Sequence, residues 1–316
     1  YHLSTLLPMS ACRTVGARFI ACDHFESGGA LEELERTRAT ILYPAFPTLM
    51  ASMIAHPDYS KRDLSHIRLM LNIGPPDLLR RFAAALPNAA QVSCYGLTEG
   101  SGVCCYNEPG DTLEQRVTTA GRPIGGCEIR ITDPETFEAF GPGRRGEIWI
   151  GGFCVFAGYY KAPESTRMAV TEDGWLRTGD LGEIDEGGRL MFKGRLKDML
   201  KIGGENVAAE EIESYLMRHS AVKMAQVISV ADAHLLEAAA AFIELQPDAR
   251  LTEAELVEFC VGQIASFKIP RHVRFVESWP MSATKIQKFR LADAFVAGPP
   301  IDIAAIVARI RSAIAT

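Results

Sequence analysis

Residues 95–100 read Tyr-Gly-Leu-Thr-Glu-Gly and mark the place where the character of the chain changes. They follow a strand-like run at residues 91–94, and ligands of open α/β sheets bind beyond the carboxyl ends of such strands. At that position the hydroxyl of Thr98 could hold a phosphate and the carboxylate of Glu99 its Mg²⁺ ion. A glycine turn with solvated polar side chains is the alternative interpretation of this hexapeptide when it is taken alone.

On the N-terminal side of this stretch, helical and strand-like patterns alternate, which predicts an α/β sheet layered with helices over residues 1–102. Strands are predicted at residues 17–21, near Ile41 and at 68–72, and helices at residues 30–37, 48–55 and 77–85.

On the C-terminal side, short alternating runs such as Glu-Ile-Trp-Ile at residues 147–150 predict a β-rich subdomain over residues 103–196. A small α+β domain is predicted over residues 197–293, with one helix opened by a capping box at Thr252. The tail, residues 294–316, is predicted to be a helix that packs through an apolar face. The fold class is therefore α/β with a β-rich subdomain, plus a small C-terminal α+β domain.

The composition indicates a globular chain, because 47% of its 316 residues are hydrophobic and 23% are charged. A net charge of -6 provides no basic face, so nucleic acid is not expected as a partner. No transmembrane segment is expected, since the most apolar run, at residues 238–243, is bounded by Glu237 and Glu244. The 8 cysteines have no CxxC spacing, which suggests neither a zinc site nor a disulfide framework and favours the cytoplasm. The chain begins without Met or a signal-peptide pattern, so we expect that the natural N-terminus is missing.

Three further segments carry residues suited to nucleotide chemistry. In Trp-Leu-Arg-Thr-Gly-Asp, residues 175–180, the Asp180 carboxylate can accept hydrogen bonds from both hydroxyls of a ribose, although Thr-Gly-Asp is also an ordinary hairpin sequence. Residues 194–207 combine an arginine, two lysines and a glycine pair, which indicates either ligand contact or an interdomain hinge. Residues 280–291 carry Lys285, which could stabilise the charge that develops when a carboxylate attacks phosphorus, or remain a solvated surface lysine.

Taken in order, these segments resemble the acyl-adenylate-forming superfamily of acyl-CoA synthetases, peptide-synthetase adenylation domains and beetle luciferases. The resemblance covers residues 1–291, and the strings at residues 203–207 and 285–288 are most similar to acyl-CoA synthetases, including those for medium-chain and carnitine-type acids. It implies an adenylate-forming acid-thiol ligase of fatty acid metabolism that makes acyl-CoA through acyl-AMP. ATP, Mg²⁺ and coenzyme A are the implied cofactors, and a small carboxylic acid is the implied substrate.

The resemblance implies roles for residues of the α/β and β-rich parts. Thr98 and Glu99 would bind phosphate and Mg²⁺, and Asp180 would bind the ribose diol. Further nucleotide contacts are implied at Tyr95, Gly96 and Gly74, the last in a Gly-Pro-Pro loop that takes the place of the family's adenine-binding loop.

The resemblance also implies roles for residues of the C-terminal domain. Arg195 would contact the ribose or a phosphate, and Lys197 would be the hinge of a mobile domain. Gly203 and Gly204 would line the pantetheine channel, and Lys285 would be the adenylation lysine.

Two departures from the family pattern bear on activity. The family's Ser/Thr/Gly-rich phosphate loop is not found in the chain and would lie upstream of residue 1, and Thr284 replaces the glycine that usually precedes the lysine. We therefore expect the 316-residue piece to have little or no activity alone. Two alternatives stay open: an adenylation unit that loads a carrier protein, and a non-catalytic nucleotide-binding remnant.

Overall fold

The structure is a computed structural model that describes residues 3–282, 285–296 and 298–314, with the side chains of residues 3, 4, 282, 285 and 310–314 left undescribed. The chain divides into two compact units, the first ending at Phe192 and the second beginning at Lys193. Each unit has its own buried apolar clusters.

The first unit opens with an α/β layer, built on a parallel three-stranded sheet in the order β1-β2-β3. Its elements are α1 (Leu3–Val15), α2 (Ser27–Thr37), β1 (Ile41–Ala45), α3 (Pro47–Ala55), β2 (Leu69–Asn72), α4 (Pro76–Ala85) and β3 (Ala90–Val92). Leu31, Met50 and Phe82, one from each of α2, α3 and α4, are buried together in one apolar cluster. These elements follow the predicted alternation of helices and strands, with two exceptions. Helix α1 was not predicted, and the strand predicted at residues 17–21 is absent from the described structure.

The prediction of a strand at residues 17–21 is wrong. This segment has no regular secondary structure, and Phe19 is 37% exposed. Gly16 has a φ of 69°, and the amide of Ala17 donates to the carbonyl of Cys12 at 2.8 Å. Gly16 therefore ends α1 in a left-handed conformation, and the apolar residues that follow it have no neighbouring strand among the described residues.

Two antiparallel sheets form the rest of the first unit, with the orders β4-β5-β6 and β11-β10-β9-β7-β8. Their elements are β4 (Cys94–Tyr95), β5 (Cys105–Tyr106), α5 (Leu113–Thr118), β6 (Arg122–Pro123), β7 (Cys127–Thr132), β8 (Ala139–Phe140), β9 (Gly146–Gly152), α6 (Pro163–Ala169), β10 (Leu176–Ile184) and β11 (Leu190–Arg195), the last of which crosses the division between the two units. Ile131, Ile148 and Leu176 meet in the core of this part. The predicted β-rich subdomain is confirmed, while its exact limits at residues 103 and 196 stay predictions.

The second unit is an α+β domain with a sheet in the order β13-β12-β15-β14, and β16 pairs in parallel with β15. Its elements are β12 (Met199–Ile202), β13 (Glu205–Ala208), α7 (Ala209–Leu216), β14 (Val222–Asp232), β15 (Leu236–Leu245), α8 (Glu253–Cys260), β16 (His272–Phe275), β17 (Met281–Ser282), β18 (Lys285–Ile286), α9 (Lys288–Ala294) and α10 (Ile303–Ile314). The core contains Ile212 of α7, Val257 of α8 and Ile306 of α10. The predicted C-terminal α+β domain is thus confirmed.

Side-chain caps set the starts of two helices in this unit. The hydroxyl of Thr252 accepts from the amide of Glu255 at 3.2 Å, and the Glu255 carboxylate accepts from the amide of Thr252 at 2.8 Å. The Asp302 carboxylate accepts from the amide of Ala305 at 2.9 Å at the start of α10. The helix start predicted at Thr252 is confirmed. In the part of the chain that the structure describes, no helix is both long enough and apolar enough to cross a bilayer.

Candidate functional site

The turn that follows β4 carries the predicted phosphate and Mg²⁺ residues. A 3₁₀ turn at Thr98–Gly100 is closed by hydrogen bonds from the amides of Gly100 and Gly102 to the carbonyl of Leu97, at 3.1 and 3.0 Å. A Cβ atom on Gly96 would lie 1.7 Å from the carbonyl oxygen of Gly102, so only glycine allows the chain to double back here. The fold thereby presents Thr98 as an exposed residue.

Glu99 is half-buried and is held by two groups from the segment between β9 and α6. The hydroxyl of Tyr159 donates to Oε1 of Glu99 at 2.8 Å, and the amide of Phe156 donates to the carbonyl of Glu99 at 2.9 Å. Burial is the main cause that raises the pKa of Tyr159, and the neighbouring Glu99 carboxylate raises it further. The Tyr159 hydroxyl therefore keeps its proton and remains a donor. The direction of the Glu99 side chain is therefore fixed by the surrounding chain.

Asp180 lies within β10 and is only 5% exposed. The hydroxyl of Tyr95 donates to Oδ2 of Asp180 at 2.8 Å, which joins residues 85 positions apart. Burial, and then the negative charge of Asp180, raises the pKa of Tyr95 well above its ordinary value. The Tyr95 phenol consequently stays protonated, and two of the predicted site residues are directly linked.

Glu147, which belongs to none of the predicted site motifs, fixes the backbone beside Asp180. Its buried carboxylate accepts from the amide of Gly179 at 3.0 Å and from the indole nitrogen of Trp149 at 2.8 Å. The hydroxyl of Thr178 donates to the carbonyl of Ile148 at 2.6 Å, which attaches the same turn to β9. The sequence did offer one sign of this role, an acidic residue within an otherwise apolar strand. A carboxylate that is buried there needs hydrogen-bond donors nearby.

Gly74 lies between β2 and α4 and is half-buried. A Cβ atom there would lie 3.6 Å from Cδ2 of Leu78, an ordinary contact distance, so the space does not require glycine. The adenine contact at this position stays a prediction.

The second unit contains the predicted hinge and channel residues. Arg195 and Lys197 are exposed, and Lys197 lies in a 3₁₀ turn at Leu196–Asp198. Gly203 and Gly204 form the two-residue turn between β12 and β13, with φ values of 60° and 89°. Positive φ at both positions is typical of a type I′ hairpin turn and explains the glycine pair without reference to a ligand. The channel role stays a prediction.

The backbone of Lys285 lies in β18, opposite Ser282 of β17. Its side chain, and the preceding residues 283 and 284, lie outside what the structure describes. A second lysine of the same motif, Lys288, is half-buried and forms an ion pair with Oε1 of buried Glu213 at 2.6 Å. Burial alone would lower the pKa of Lys288, but the Glu213 and Glu210 carboxylates outweigh it and raise that pKa, so the lysine stays charged.

Three cysteines meet close to the Thr98–Gly100 turn. Cys104, Cys127 and Cys154 are all buried, and their sulfur atoms all lie within 4.8 Å of one another. The thiol of Cys104 donates to the carbonyl of Gly100 at 3.4 Å. Burial raises the pKa of Cys127 to about 12 and that of Cys104 further, so these thiols are protonated at neutral pH. Their spacing in the sequence gave no sign of this arrangement.

The structure thus brings Tyr95, Thr98, Glu99 and Asp180 together in the first unit through the link between Tyr95 and Asp180 and the turn that follows β4. The remaining predicted residues of the C-terminal domain all lie in the second unit: Arg195, Lys197, Gly203, Gly204 and Lys285.

Comparison with known proteins gives two family matches. The family described as AMP-binding enzyme matches residues 1–160, and the AMP-binding enzyme C-terminal domain matches residues 211–285. The putative acyl-CoA synthetase YngI of Bacillus subtilis is 38% identical over 91% of this chain and 53% of its own length. The mitochondrial medium-chain acyl-CoA ligase ACSF2 of Rattus norvegicus is 38% identical over 85% of this chain and 44% of its own length.

Solved structures of similar fold include ATP-bound MatB from Rhodopseudomonas palustris, with a TM-score of 0.84, 31% identity and coverage of 93% of this chain and 58% of that one. The o-succinylbenzoate CoA synthetase MenE of Bacillus subtilis, bound to its acyl-adenylate intermediate OSB-AMP, has a TM-score of 0.81 and 27% identity. That comparison covers 94% of this chain and 60% of the MenE chain. The chain spans about half the length of the curated relatives it matches.

Proposed function

The chain belongs to the AMP-binding enzyme family, and from this premise we propose that it is part of an ATP-dependent acid-thiol ligase. The complete enzyme activates a carboxylic acid as acyl-AMP and then transfers the acyl group to coenzyme A. The observation that carries this proposal is the hydrogen bond from Tyr95 to Asp180, which joins the two predicted nucleotide motifs of the first unit. The names of its relatives, an acyl-CoA synthetase and an acyl-CoA ligase, support the same class of reaction.

The residues of the first unit fit an adenosine phosphate. Asp180 is a carboxylate held by a neutral phenol, and a carboxylate has the several acceptor sites that a ribose diol requires. Thr98 is exposed, and it lies on a turn in which the chain folds back so closely that residue 96 can carry no side chain. We assign Asp180 to the ribose, Thr98 to phosphate and Glu99 to Mg²⁺. When bound, Mg²⁺ would offset the negative charge of the phosphates.

We assign Lys285 to the first half-reaction. An oxygen of the carboxylate attacks the α-phosphorus, so that an oxygen-phosphorus bond forms while the bond to pyrophosphate breaks. A lysine ammonium near the reacting phosphate stabilises the negative charge that develops in the transition state. The effect is on the order of several kcal/mol, similar to that of a preorganised hydrogen-bond donor. The buried pair of Lys288 and Glu213 supports this assignment, because it anchors the chain three residues after Lys285.

The second half-reaction uses the remaining residues of the second unit. The thiol of coenzyme A releases its proton to solvent and attacks the acyl carbonyl, so that a carbon-sulfur bond forms while the carbon-oxygen bond to AMP breaks. We propose that the second unit turns about Lys197 between the two steps and presents Gly203 and Gly204 to the thiol channel. Arg195 then contacts the ribose or a phosphate.

The hinge assignment is tested by substitution in the complete protein. Lys197→Pro restricts the backbone and should spare ATP-pyrophosphate exchange while it impairs thioester formation. Lys197→Ala removes the side chain but keeps the backbone mobile, and serves as the matched control. Unchanged thioester formation in Lys197→Pro would remove the hinge assignment.

The function itself is tested by acid-dependent ATP-pyrophosphate exchange in the complete protein. Short, medium, aryl and betaine-type acids are compared, and the name of the ACSF2 relative leads us to expect exchange with medium-chain acids. Thioester formation with free coenzyme A supports the proposal. Activity only with a holo-carrier protein would replace it by the carrier-loading alternative, and no exchange with any acid would favour a non-catalytic nucleotide-binding protein.

We also propose that the protein works in a reducing compartment such as the cytoplasm and serves fatty acid metabolism. All the cysteines are free thiols in the structure, which supports the first part of this proposal. The medium-chain ligase among its relatives supports the second part.

A further inference from the structure

Three chain segments that are distant in sequence deliver the cysteine cluster to one place. Cys104 directly precedes β5, Cys127 is the first residue of β7, and Cys154 follows the end of β9. Cys127 pairs in register with Gly152, so the start of β7 lies beside the end of β9. The three residues are 0%, 7% and 3% exposed, and their sulfur atoms lie within 4.8 Å of one another.

This spacing is close to what one metal ion requires. Zinc-sulfur bonds are about 2.3 Å long, so the sulfur atoms around a single zinc ion lie about 4 Å apart. The sulfur atoms need to approach one another by only a small amount to reach that separation. Three sulfur donors select soft ions such as Zn²⁺ and Cd²⁺ over hard ions such as Mg²⁺, which prefer oxygen.

Backbone oxygen atoms are available to complete the coordination. The carbonyl of Gly100 lies 3.4 Å from the sulfur of Cys104, and the carbonyl of Gly151 lies 3.6 Å from the sulfur of Cys154. These carbonyls accept hydrogen bonds from the two thiols. Either one could therefore become the fourth ligand of a tetrahedral ion.

An exposed residue contacts the backbone of the cluster. Ser101 is exposed, and its hydroxyl donates to the carbonyl of Cys154 at 2.7 Å. The Thr98–Gly100 turn before Ser101 contributes the carbonyl of Gly100, which accepts from the thiol of Cys104.

We propose that Cys104, Cys127 and Cys154 form a binding site for one thiophilic divalent cation of the zinc and cadmium class. Binding breaks sulfur-hydrogen bonds, forms metal-sulfur bonds and releases the protons to solvent, with no change of oxidation state. The site is distinct from the proposed Mg²⁺ position at Glu99, because its donors are sulfur rather than carboxylate oxygen. The inference concerns the cluster alone and does not depend on the proposed ligase activity.

Cadmium titration of the reduced full chain tests this site, because thiolate-to-cadmium charge transfer absorbs in the ultraviolet. Exposed Cys22 and half-buried Cys12 are first replaced by serine, so that they cannot bind the ion. We expect a band that saturates at one equivalent and disappears in Cys154→Ala. Cys260→Ala, which removes a buried cysteine of the second unit, is the matched control and should retain the band.

A second measurement covers the case in which Cys154→Ala fails to fold. Zn²⁺ should raise the midpoint of thermal unfolding in the chain that keeps the cluster and in Cys260→Ala, but not in a folded Cys127→Ala variant. Absence of a saturable cadmium band in the chain that keeps the cluster would overturn the inference. A band that persists in folded Cys154→Ala or Cys127→Ala would overturn it as well.

Discussion

The hydroxyl of Tyr95 donates a 2.8 Å hydrogen bond to Oδ2 of Asp180, deep enough that the two residues are only 7% and 5% exposed. Tyr95 ends β4 and Asp180 lies within β10, so the bond attaches the turn of Thr98 to the five-stranded sheet. A phenol whose pKa is raised by burial keeps its proton and remains a donor to the carboxylate. This contact therefore positions the acceptor that we assign to the ribose.

Tyr95→Phe should weaken nucleotide binding, because it removes the donor that positions Asp180. Hydrogen bonds to charged groups contribute about 1.5–3 kcal/mol, and a loss of about 1.4 kcal/mol lowers affinity about tenfold. AMP binding to the complete protein, measured by calorimetry, checks this. Tyr159→Phe removes the phenol that binds Glu99 instead, and serves as the control, with smaller loss of AMP affinity expected. Equal AMP affinity in Tyr95→Phe and the parent would contradict the role of this contact.

Gly96→Ala should destabilise the first unit, since the added Cβ would meet the Gly102 carbonyl at 1.7 Å. Displacing this packed backbone should cost at least about 2 kcal/mol, which lowers the unfolding midpoint by several degrees. Thermal unfolding followed by circular dichroism measures the effect. Gly110→Ala is the matched control, because a Cβ there meets no atom within 4 Å. Equal midpoints for the two variants would show that the turn is less tightly packed than described.

Asp111 makes the stability of the first unit depend on pH. Its side chain is 6% exposed and bonds to Arg189 at 2.8 Å, and this hydrogen bond lowers the pKa of the carboxyl below its ordinary value of 3.8. A lowered pKa in the folded state means that the stabilisation is present above pH 3.8 and is lost as the pH falls through the folded-state pKa.

Asp111→Asn should therefore be less stable than the parent near neutral pH, and the difference in free energy of unfolding should shrink in acid. Urea unfolding at a series of pH values measures that difference. Asp23→Asn, at an exposed position, should show little difference at any pH. If the difference in free energy of unfolding between Asp111→Asn and the parent stays constant down to the most acidic pH, the ionised Asp111 carboxylate does not stabilise the fold as described.

Lys288→Met should strongly destabilise the second unit. It leaves the Glu213 carboxylate buried without its cation, and breaking a buried ion pair in this way costs about 3–5 kcal/mol. Urea unfolding measures the loss, and the double variant Lys288→Met with Glu213→Gln should recover part of it. Lys223→Met breaks the more exposed pair with Glu244 and should cost about 1 kcal/mol or less. A similar loss in both single variants would mean that the Lys288 pair is not effectively buried.

Local sequence patterns predicted the elements that local forces determine. The capping box of Thr252 and Glu255 is formed as predicted, and the alternation at residues 147–150 lies within β9. Residues 17–21 are mostly apolar but form no strand, because Gly16 ends the preceding helix and no described strand lies alongside. A strand requires a partner, and the segment itself does not specify one.

Much of the candidate site depends on contacts between distant positions. The motifs identified Tyr95 and Asp180 separately, but no spacing rule predicts a hydrogen bond across 85 positions. Glu147 was missed because its contact with the amide of Gly179 arises only when β9 and β10 pair. The cysteine cluster was missed for the same reason, since three separate strands and loops must converge before its sulfur atoms meet.

The proposed ligase mechanism is tested most directly by Lys285→Ala in the complete protein, with the two half-reactions measured separately. We expect acid-dependent ATP-pyrophosphate exchange to be lost, while thioester formation from supplied acyl-AMP and coenzyme A persists. Equal loss of both half-reactions, or exchange at the parent rate, would contradict it.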